Sequence, residues 1–348
     1  MSESVLLSEI ADQPSVLERL LREAAGEVEV IASAIRARRI HHVVIAARGS
    51  SDNAARYAQY LFGAHNRITV TLATPSLVTR YRTPPVMTGA LVVGISQSGE
   101  SPDLIAVVEE GRRQGCATLA VTNVAGSPLT AAAEHTIVLR AGQERSIAAT
   151  KTYTAQLAAL AMLSTALSEN GEWRQQLARL PEHVAAAHAV DREAVVAAAA
   201  ALKDAGHGVV LGRGFNFATA FEAALKAKEL AYVAVEPYSS ADFQHGPIAL
   251  IDTGFAAVVI NAAGAVSSEV EDLLRTIRDR GARPVVISNV PSSLALATAP
   301  IPIPADVPEW LSPIAAIVPG QLLAFHLSRL RGFDPDAPRG LKKVTKTT

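Results

Sequence analysis

Six consecutive residues combine hydroxyl, amide and glycine groups at the end of an apolar run: Ser96-Gln97-Ser98-Gly99-Glu100-Ser101. The run before them, residues 91–95, is typical of a buried strand, and Ser101-Pro102-Asp103 is typical of a helix start. A loop in this setting points backbone N–H groups and the positive end of a helix at one place, which favours a phosphate. An ordinary capped strand-to-helix turn is the alternative interpretation.

A second turn has the same setting, because Arg48-Gly49-Ser50-Ser51-Asp52-Asn53 follows Val43-Val44-Ile45. Doubly wound sheets bind ligands beyond the carboxyl ends of their strands. This turn is therefore placed to close over the same phosphate, although by itself it is weak evidence.

Three ionisable residues, Glu222, Lys226 and Glu229, lie at i, i+4 and i+7 of a predicted helix over residues 218–231. This spacing puts them on one face, where they can meet one ligand. A carboxylate beside a lysine in a pocket is suited to moving protons. A solvated pair contributing about 0.3 kcal/mol is the alternative, and the spacing alone favours it.

The segment Asp242-Phe243-Gln244-His245-Gly246-Pro247 is predicted to be non-helical, because the residue before proline avoids the α region. A loop of this kind can present a catalytic imidazole at His245. A turn histidine bonded to its own backbone is an equally good interpretation. The tail Pro338-Arg339-Gly340-Leu341-Lys342-Lys343 has the composition of a frayed basic end.

Neither a nicotinamide cofactor nor a metal is expected. Gly212-Arg213-Gly214 resembles the start of a dinucleotide fingerprint, but Phe217 occupies the third glycine position. His183 and His188 are five residues apart on a predicted helix, so they do not share a face, and both are predicted to lie at the surface.

The elements that position these residues follow an α/β pattern. Short valine- and isoleucine-rich runs alternate with segments of helical periodicity, which predicts doubly wound parallel sheets covered by helices on both faces. Further strands are predicted at residues 68–73, 117–122 and 136–140.

The second half of the sequence repeats the first. Gly49 and Gly214 end similar apolar runs 165 residues apart, and Ser96 and Asn261 follow similar runs at the same separation. We predict a helical segment over residues 1–34 and two duplicated domains, residues 35–190 and 191–348. The second copy has Asn261-Ala262-Ala263-Gly264 in place of the serine-rich loop, so any ligand loop belongs to the first copy alone.

Composition excludes several other classes. The 348 residues are enough for two domains, while a net charge of −1 and 5% aromatic content argue against nucleic acid. A single cysteine, Cys116, can form no internal disulfide, and the acidic residues within the first nine argue against a signal peptide. The longest apolar run, residues 195–202, is far shorter than the ~20 residues that cross a bilayer. We expect a soluble, cytoplasmic protein.

Five motifs in order resemble the isomerase part of glucosamine-6-phosphate synthase and its stand-alone relatives, which are built from two flavodoxin-like sugar isomerase (SIS) domains. Residues 149–156, Ala-Thr-Lys-Thr-Tyr-Thr-Ala-Gln, are similar to that family's Ser-Thr-Lys-x-Phe-Thr-x-Gln segment. Residues 222–229 resemble its Glu-Gly-Ala-Leu-Lys-Leu-Lys-Glu helix. The other three motifs are residues 96–100, 245–247 and 338–343.

The resemblance implies a role for each residue. Those that would hold the sugar phosphate are Ser51, Ser96, Gln97, Ser98 and Ser101. Glu229 would move a proton between C1 and C2, with Lys226 and Glu222 lining the pocket. His245 would assist ring opening from a neighbouring subunit of a homodimer, and Lys343 would reach the open-chain sugar. An aldose-to-ketose shift needs such a base and a separate acid for the ring oxygen.

Departures from the family pattern bear on the substrate. Asp242-Phe243-Gln244 stands where the synthase has Glu-Leu-Lys, and Gly340 stands for an asparagine. The chain opens on the linker-like residues 10–14 without the cysteine of a glutaminase domain, so we expect no ammonia production from glutamine. The sequence therefore predicts an amino-sugar-6-phosphate isomerase/deaminase, acting on glucosamine-6-phosphate. The alternatives are a deglycase of a phosphorylated sugar–amine adduct and a non-catalytic sugar-phosphate sensor.

Overall fold

The computed structural model of the protein describes residues 4–343, which form two compact units. The first-sheet unit is composed of Ser15–Glu144, Lys151–Arg179 and the residues from Lys342 onward. The second-sheet unit is composed of Arg145–Thr150, Leu180–Leu341 and the first residues of the chain up to Pro14. The domain boundaries predicted after residues 34 and 190 stay predictions.

The elements alternate along the chain as the sequence predicts. The helices are α1 (Val5–Ala11), α2 (Gln13–Ala37), α3 (Ser50–Leu61), α4 (Pro75–Thr79), α5 (Pro102–Arg113), α6 (Pro128–Ala132), α7 (Lys151–Ser168), α8 (Gly171–Ala178), α9 (Leu180–His188), α10 (Arg192–Leu202), α11 (Phe217–Ala231), α12 (Ser240–Gln244), α13 (Ser267–Asp279), α14 (Pro291–Ala295) and α15 (Ser312–Leu330). The strands are β1 (His42–Ala46), β2 (Thr69–Leu72), β3 (Leu91–Ser96), β4 (Ala117–Thr122), β5 (His135–Val138), β6 (His207–Gly212), β7 (Ala234–Ser239), β8 (Ala256–Asn261), β9 (Arg283–Ser288) and β10 (Ala299–Pro302).

Both units contain a five-stranded parallel sheet of the same topology. The strand order is β2-β1-β3-β4-β5 in one and β7-β6-β8-β9-β10 in the other. Helices cover both faces of such sheets, which explains why β3 and β4 are buried at every residue instead of alternating. The predicted α/β class, with two duplicated doubly wound sheets, is confirmed.

The duplication holds at the level of single strands. β1 and β6 begin 165 residues apart, as do β3 and β8, while β4 and β9 begin 166 apart. The same separation relates α3 to α11, since each follows the first strand of its sheet. Residues 165 apart can therefore be compared as equivalent positions of one scaffold.

The strand order creates a switch point between β1 and β3 of the first sheet, where the connections leave in opposite directions. Val43 pairs with Leu91 and Ala46 with Gly94, so the two strands end side by side. The turn after β1 and the serine-rich loop after β3 consequently share one edge of this sheet.

Each sheet packs against its own apolar core. The core of the first-sheet unit includes Val44, Val92, Leu104, Val108 and Leu129. The core of the second-sheet unit includes Leu211, Val259, Leu273, Leu274 and Val286. Burying a side chain of this size contributes about 1.5–3 kcal/mol, which holds the strand ends and their loops in place.

The prediction that residues 242–247 are non-helical is wrong for the first half of that segment. Helix α12 extends to Gln244, and Phe243 is fully buried in the core of the second-sheet unit. This burial outweighs the weak local signal. The backbone restriction of Gly246-Pro247 acts only after the helix, so His245 does lie in a turn.

The surface prediction for the two histidines of α9 is wrong for His183. Its side chain is buried beside Val184 and Ala187, and its Nε2 lies 3.6 Å from Oδ1 of Asp306. His188 at the end of the helix is half-buried. Within residues 4–343 no helix is long and apolar enough to cross a membrane.

Candidate active site

The serine-rich loop, residues 96–101, folds onto its own hydroxyls. Ser96 Oγ accepts a hydrogen bond from the Gly99 N–H at 3.1 Å, and Ser98 Oγ accepts one from the Glu100 N–H at 3.3 Å. A hydroxyl that accepts still carries its own O–H donor. Ser101 is the N-cap residue of α5, as predicted, but its side chain makes no capping bond. The loop is thus a compact set of hydroxyls at a helix N-terminus.

Glycine is required at the centre of this loop. Gly99 has φ +67°, and a Cβ there would lie 2.1 Å from Oγ of Ser127. The carbonyl of Gly99 accepts from the Leu129 N–H at 3.1 Å, and the carbonyl of Gln97 accepts from the Asn123 N–H at 3.1 Å. Contacts on both sides therefore fix the loop backbone against β4 and α6.

The turn after β1 is tied to the serine-rich loop by charge. Arg48 Nε donates to Oδ2 of Asp103 at 2.9 Å, and the Asp103 side chain is only 2% exposed. Asp103 lies in the first turn of α5, directly after the loop. Ser51, buried in α3, accepts a hydrogen bond from Nε2 of Gln156 at 2.9 Å. The sequence marked Asp103 only as a helix start and gave Gln156 no role beyond its place in the 149–156 motif.

Glu222, Lys226 and Glu229 meet on one face of α11. Lys226 Nζ lies 2.6 Å from Oε2 of Glu229 and 3.4 Å from Oε1 of Glu222. The side chains of Glu222 and Lys226 are 0% and 1% exposed, whereas that of Glu229 is 24% exposed. The solvated pair that the spacing alone favoured is therefore wrong. The arrangement is a buried ion pair with one carboxylate that solvent reaches.

The charge state of this cluster follows from its surroundings. Burial by itself would lower the pKa of Lys226, but the charges of Glu222 and Glu229 and their hydrogen bonds outweigh it and raise that pKa above its usual value. Lys226 is consequently an ammonium ion at neutral pH. It holds the carboxylate of Glu229 in place and does not itself supply an amine nucleophile.

His245 and Lys343 lie in different units. His245 is exposed, one residue beyond α12, with its N–H bonded to the carbonyl of Asp242 at 3.1 Å. Lys343 lies in the first-sheet unit, where its Nζ is 2.5 Å from Oε2 of Glu144. Arg339, earlier in the tail, lies over the ring of Tyr232 at 4.0 Å. The tail is therefore packed as far as Lys343, and the frayed end expected from composition is wrong for these residues.

The predicted site residues thus fall into two groups. Ser51, the serine-rich loop and Lys343 belong to the first-sheet unit, and Glu222, Lys226, Glu229 and His245 belong to the second-sheet unit. Among residues 4–343, His, Cys, Asp and Glu side chains form no group of three that could hold a metal ion. The chemistry on offer is anion binding in one unit and proton transfer in the other.

Comparison with known proteins identifies the scaffold. The profile of the SIS domain matches twice, over residues 38–166 and 201–330. The glutamine–fructose-6-phosphate aminotransferase (isomerizing) of Thermococcus kodakarensis is 36% identical over 97% of the chain, and the match covers 57% of that protein. The chain thus spans little more than half the length of this curated relative.

Two solved structures have the same architecture. The C-terminal domain of glucosamine-fructose-6-phosphate aminotransferase from Francisella tularensis matches with a TM-score of 0.86 at 25% identity, covering 96% of this chain and 98% of that one. Glucosamine-6-phosphate deaminase from Thermotoga maritima matches with a TM-score of 0.81 at 22% identity, covering 99% and 100%. At that identity, the second match establishes a shared fold.

Removing one carboxylate from the buried cluster tests its electrostatics. We expect Glu222→Gln to lower the free energy of unfolding by about 3 kcal/mol, because a fully buried ammonium loses one of its two counter-charges. The folded-state pKa of Lys226 is raised, so this stabilisation is present below the unfolded pKa of about 10.4 and is lost as pH rises through the folded value. Denaturant unfolding at several pH values measures both effects.

The exposed Glu236 provides a matched control in the same unit. Glu236→Gln should change the free energy of unfolding by less than about 0.5 kcal/mol. Equal stability of the Glu222→Gln variant and the wild-type protein at pH 7 would contradict the buried-pair account.

Proposed function

The chain belongs to the SIS domain family, and from that premise we propose that it is an isomerase/deaminase of amino-sugar 6-phosphates, converting glucosamine-6-phosphate and water to fructose-6-phosphate and ammonia. The observation that carries the proposal is the buried Lys226 between Glu222 and Glu229.

The duplicated scaffold supports a functional reason for this cluster. At a separation of 165 residues, Glu222 corresponds to Tyr57 and Lys226 to Leu61, and both of these side chains are fully buried in α3. The same helix of the same scaffold thus packs with uncharged side chains in the first copy. Replacing a buried ion pair by apolar residues is commonly neutral or stabilising. The charges of α11 are therefore not needed for packing, and catalysis explains why they are retained.

The reaction requires a base that serves two neighbouring carbons. In the open-chain amino sugar, Glu229 would remove the proton from C2 and return it to C1, which converts the C2 amine to an imine. Water then adds to the imine carbon and ammonia leaves, giving the ketose. Glu229 suits this role because its carboxylate is partly exposed and Lys226 holds it in place at 2.6 Å.

The serine-rich loop supports a phosphorylated substrate. Its hydroxyls and backbone N–H groups lie at the N-terminus of α5, and Ser51 lies at the same edge of the sheet. Ser51, Ser96, Gln97, Ser98 and Ser101 would bind the phosphate without bringing a competing positive charge to the reacting carbons.

His245 and Lys343 complete the proposal. Ring opening needs a group that delivers a proton to the ring oxygen, and the exposed imidazole of His245 is suited to this task in the site of a second subunit. Lys343 would contact the open-chain sugar. The enzyme would therefore work as a homodimer with shared active sites.

Ammonia release from a panel of sugar phosphates tests the reaction. Wild-type protein should release ammonia from glucosamine-6-phosphate and not from glucosamine. Ser98→Ala should raise the KM for glucosamine-6-phosphate several-fold, since a hydrogen bond to a charged group is worth about 1.5–3 kcal/mol. A coupled assay for ammonia measures both.

Ser268→Ala is the matched control, because Ser268 is an exposed serine near the start of the corresponding helix α13. This variant should keep the wild-type KM. Turnover of a fructosamine-type 6-phosphate but not of glucosamine-6-phosphate would favour the deglycase, and binding of every sugar phosphate without turnover would favour the sensor. An unchanged KM for Ser98→Ala would rule out the serine-rich loop as the phosphate site.

Subunit mixing tests the shared site. Glu229→Gln and His245→Ala should each be inactive alone, and a hybrid of the two should recover part of the activity, because one of its two sites contains only intact residues. The measurement is turnover by purified, doubly tagged hybrids. Absence of recovery in verified hybrids would mean that each site is built from one chain.

A further inference from the structure

The motif at residues 149–156 has no part in the proposed chemistry, yet it adjoins a buried carboxylate. Glu144 lies in the segment between β5 and α7, and its side chain is 0% exposed. Its Oε1 accepts from the N–H of Thr152 at 3.1 Å, and its Oε2 accepts from Oγ1 of Thr152 at 2.8 Å. Both contacts lie in the first turn of α7, where a helix favours negative charge.

The same carboxylate binds the tail of the chain. Oε2 of Glu144 lies 2.5 Å from Nζ of Lys343, whose side chain is 25% exposed. Glu144 and Lys343 are 199 residues apart in sequence, and both belong to the first-sheet unit. The helix N-terminus fixes the carboxylate, and the carboxylate in turn fixes the ammonium group of the tail.

We propose that Glu144, held by Thr152, is the positioning residue that places Lys343 for its contact with the open-chain sugar. This inference rests on the proposed function, since it assigns Lys343 to the reaction. It also gives the 149–156 motif a purpose, because its residue Thr152 orients the carboxylate. Glu144 acts through Lys343 and does not touch the substrate itself.

A double-mutant cycle on kcat tests this role. Glu144→Gln keeps the size and an oxygen acceptor for Thr152 but loses the charge, so kcat should fall about 10-fold or more while the KM for glucosamine-6-phosphate changes less than about 3-fold. Lys343→Met should reduce kcat as well. In the Lys343→Met background, Glu144→Gln should cause less than about a 2-fold further loss, because the group it positions is already gone.

Glu9→Gln is the matched control for loss of a buried carboxylate. Glu9 is also buried and accepts hydrogen bonds from the N–H groups of Arg145 and Ser146, at 2.6 and 3.1 Å, but it has no place in the proposed site. This variant should lower the melting temperature and leave kcat within about 2-fold. Glu144→Asp, which retains the charge, should recover part of the kcat that Glu144→Gln loses.

A readout independent of turnover separates this inference from the proposed function. Trypsin should cleave after Lys343 faster in Glu144→Gln than in the wild-type or Glu9→Gln protein, because the tail has lost its ion pair. Unchanged cleavage, additive losses in the cycle, or full kcat in Glu144→Gln would overturn the positioning role while leaving the proposed function intact. A wild-type protein without turnover on the substrate panel would instead overturn the proposed function, and with it the role assigned to Lys343.

Discussion

One buried ammonium group sets the terms for the second-sheet unit. Lys226 is almost completely removed from water, and a charge in that position is tolerable only with counter-charges at close range. Glu222 and Glu229 supply them from the same helix face, one buried and one partly exposed. The cost of this arrangement is the reason it is informative, since the corresponding positions of α3 bury the uncharged side chains of Tyr57 and Leu61 instead.

The duplicated architecture explains how two chemistries arise on one scaffold. Both sheets have the same strand order, and the equivalent strands recur at nearly constant separation. The first copy keeps hydroxyls and Gly99 in the loop after its central strand, where the second copy has Ala262 and Ala263. The second copy carries charge on α11 instead. Divergence is concentrated at strand-to-helix connections and the helices that follow them, because the buried strands tolerate few changes.

The sequence was sufficient for the features that depend on local pattern, including the parallel strands, the duplication, the capped start of α5 and the stripe on α11. It failed where tertiary contacts decide. Phe243 draws α12 into a segment whose composition favours a loop, and packing buries His183. The spacing of Glu222 and Lys226 could not reveal their burial, and nothing local to Glu144 indicates a partner 199 residues away. Such contacts are properties of the folded chain, which a periodicity in sequence does not encode.

The central claim is that Glu229 is the base that moves a proton between C2 and C1, and hydrogen exchange at C2 tests it most directly. Glu229→Gln keeps the shape of the side chain but removes its basic oxygen. Wild-type protein in deuterated water should exchange the C2 hydrogen of glucosamine-6-phosphate, as followed by NMR. The variant should exchange it about 10²–10⁴-fold more slowly while still binding the sugar phosphate. Exchange by Glu229→Gln at the wild-type rate would contradict the account and assign the base to another residue.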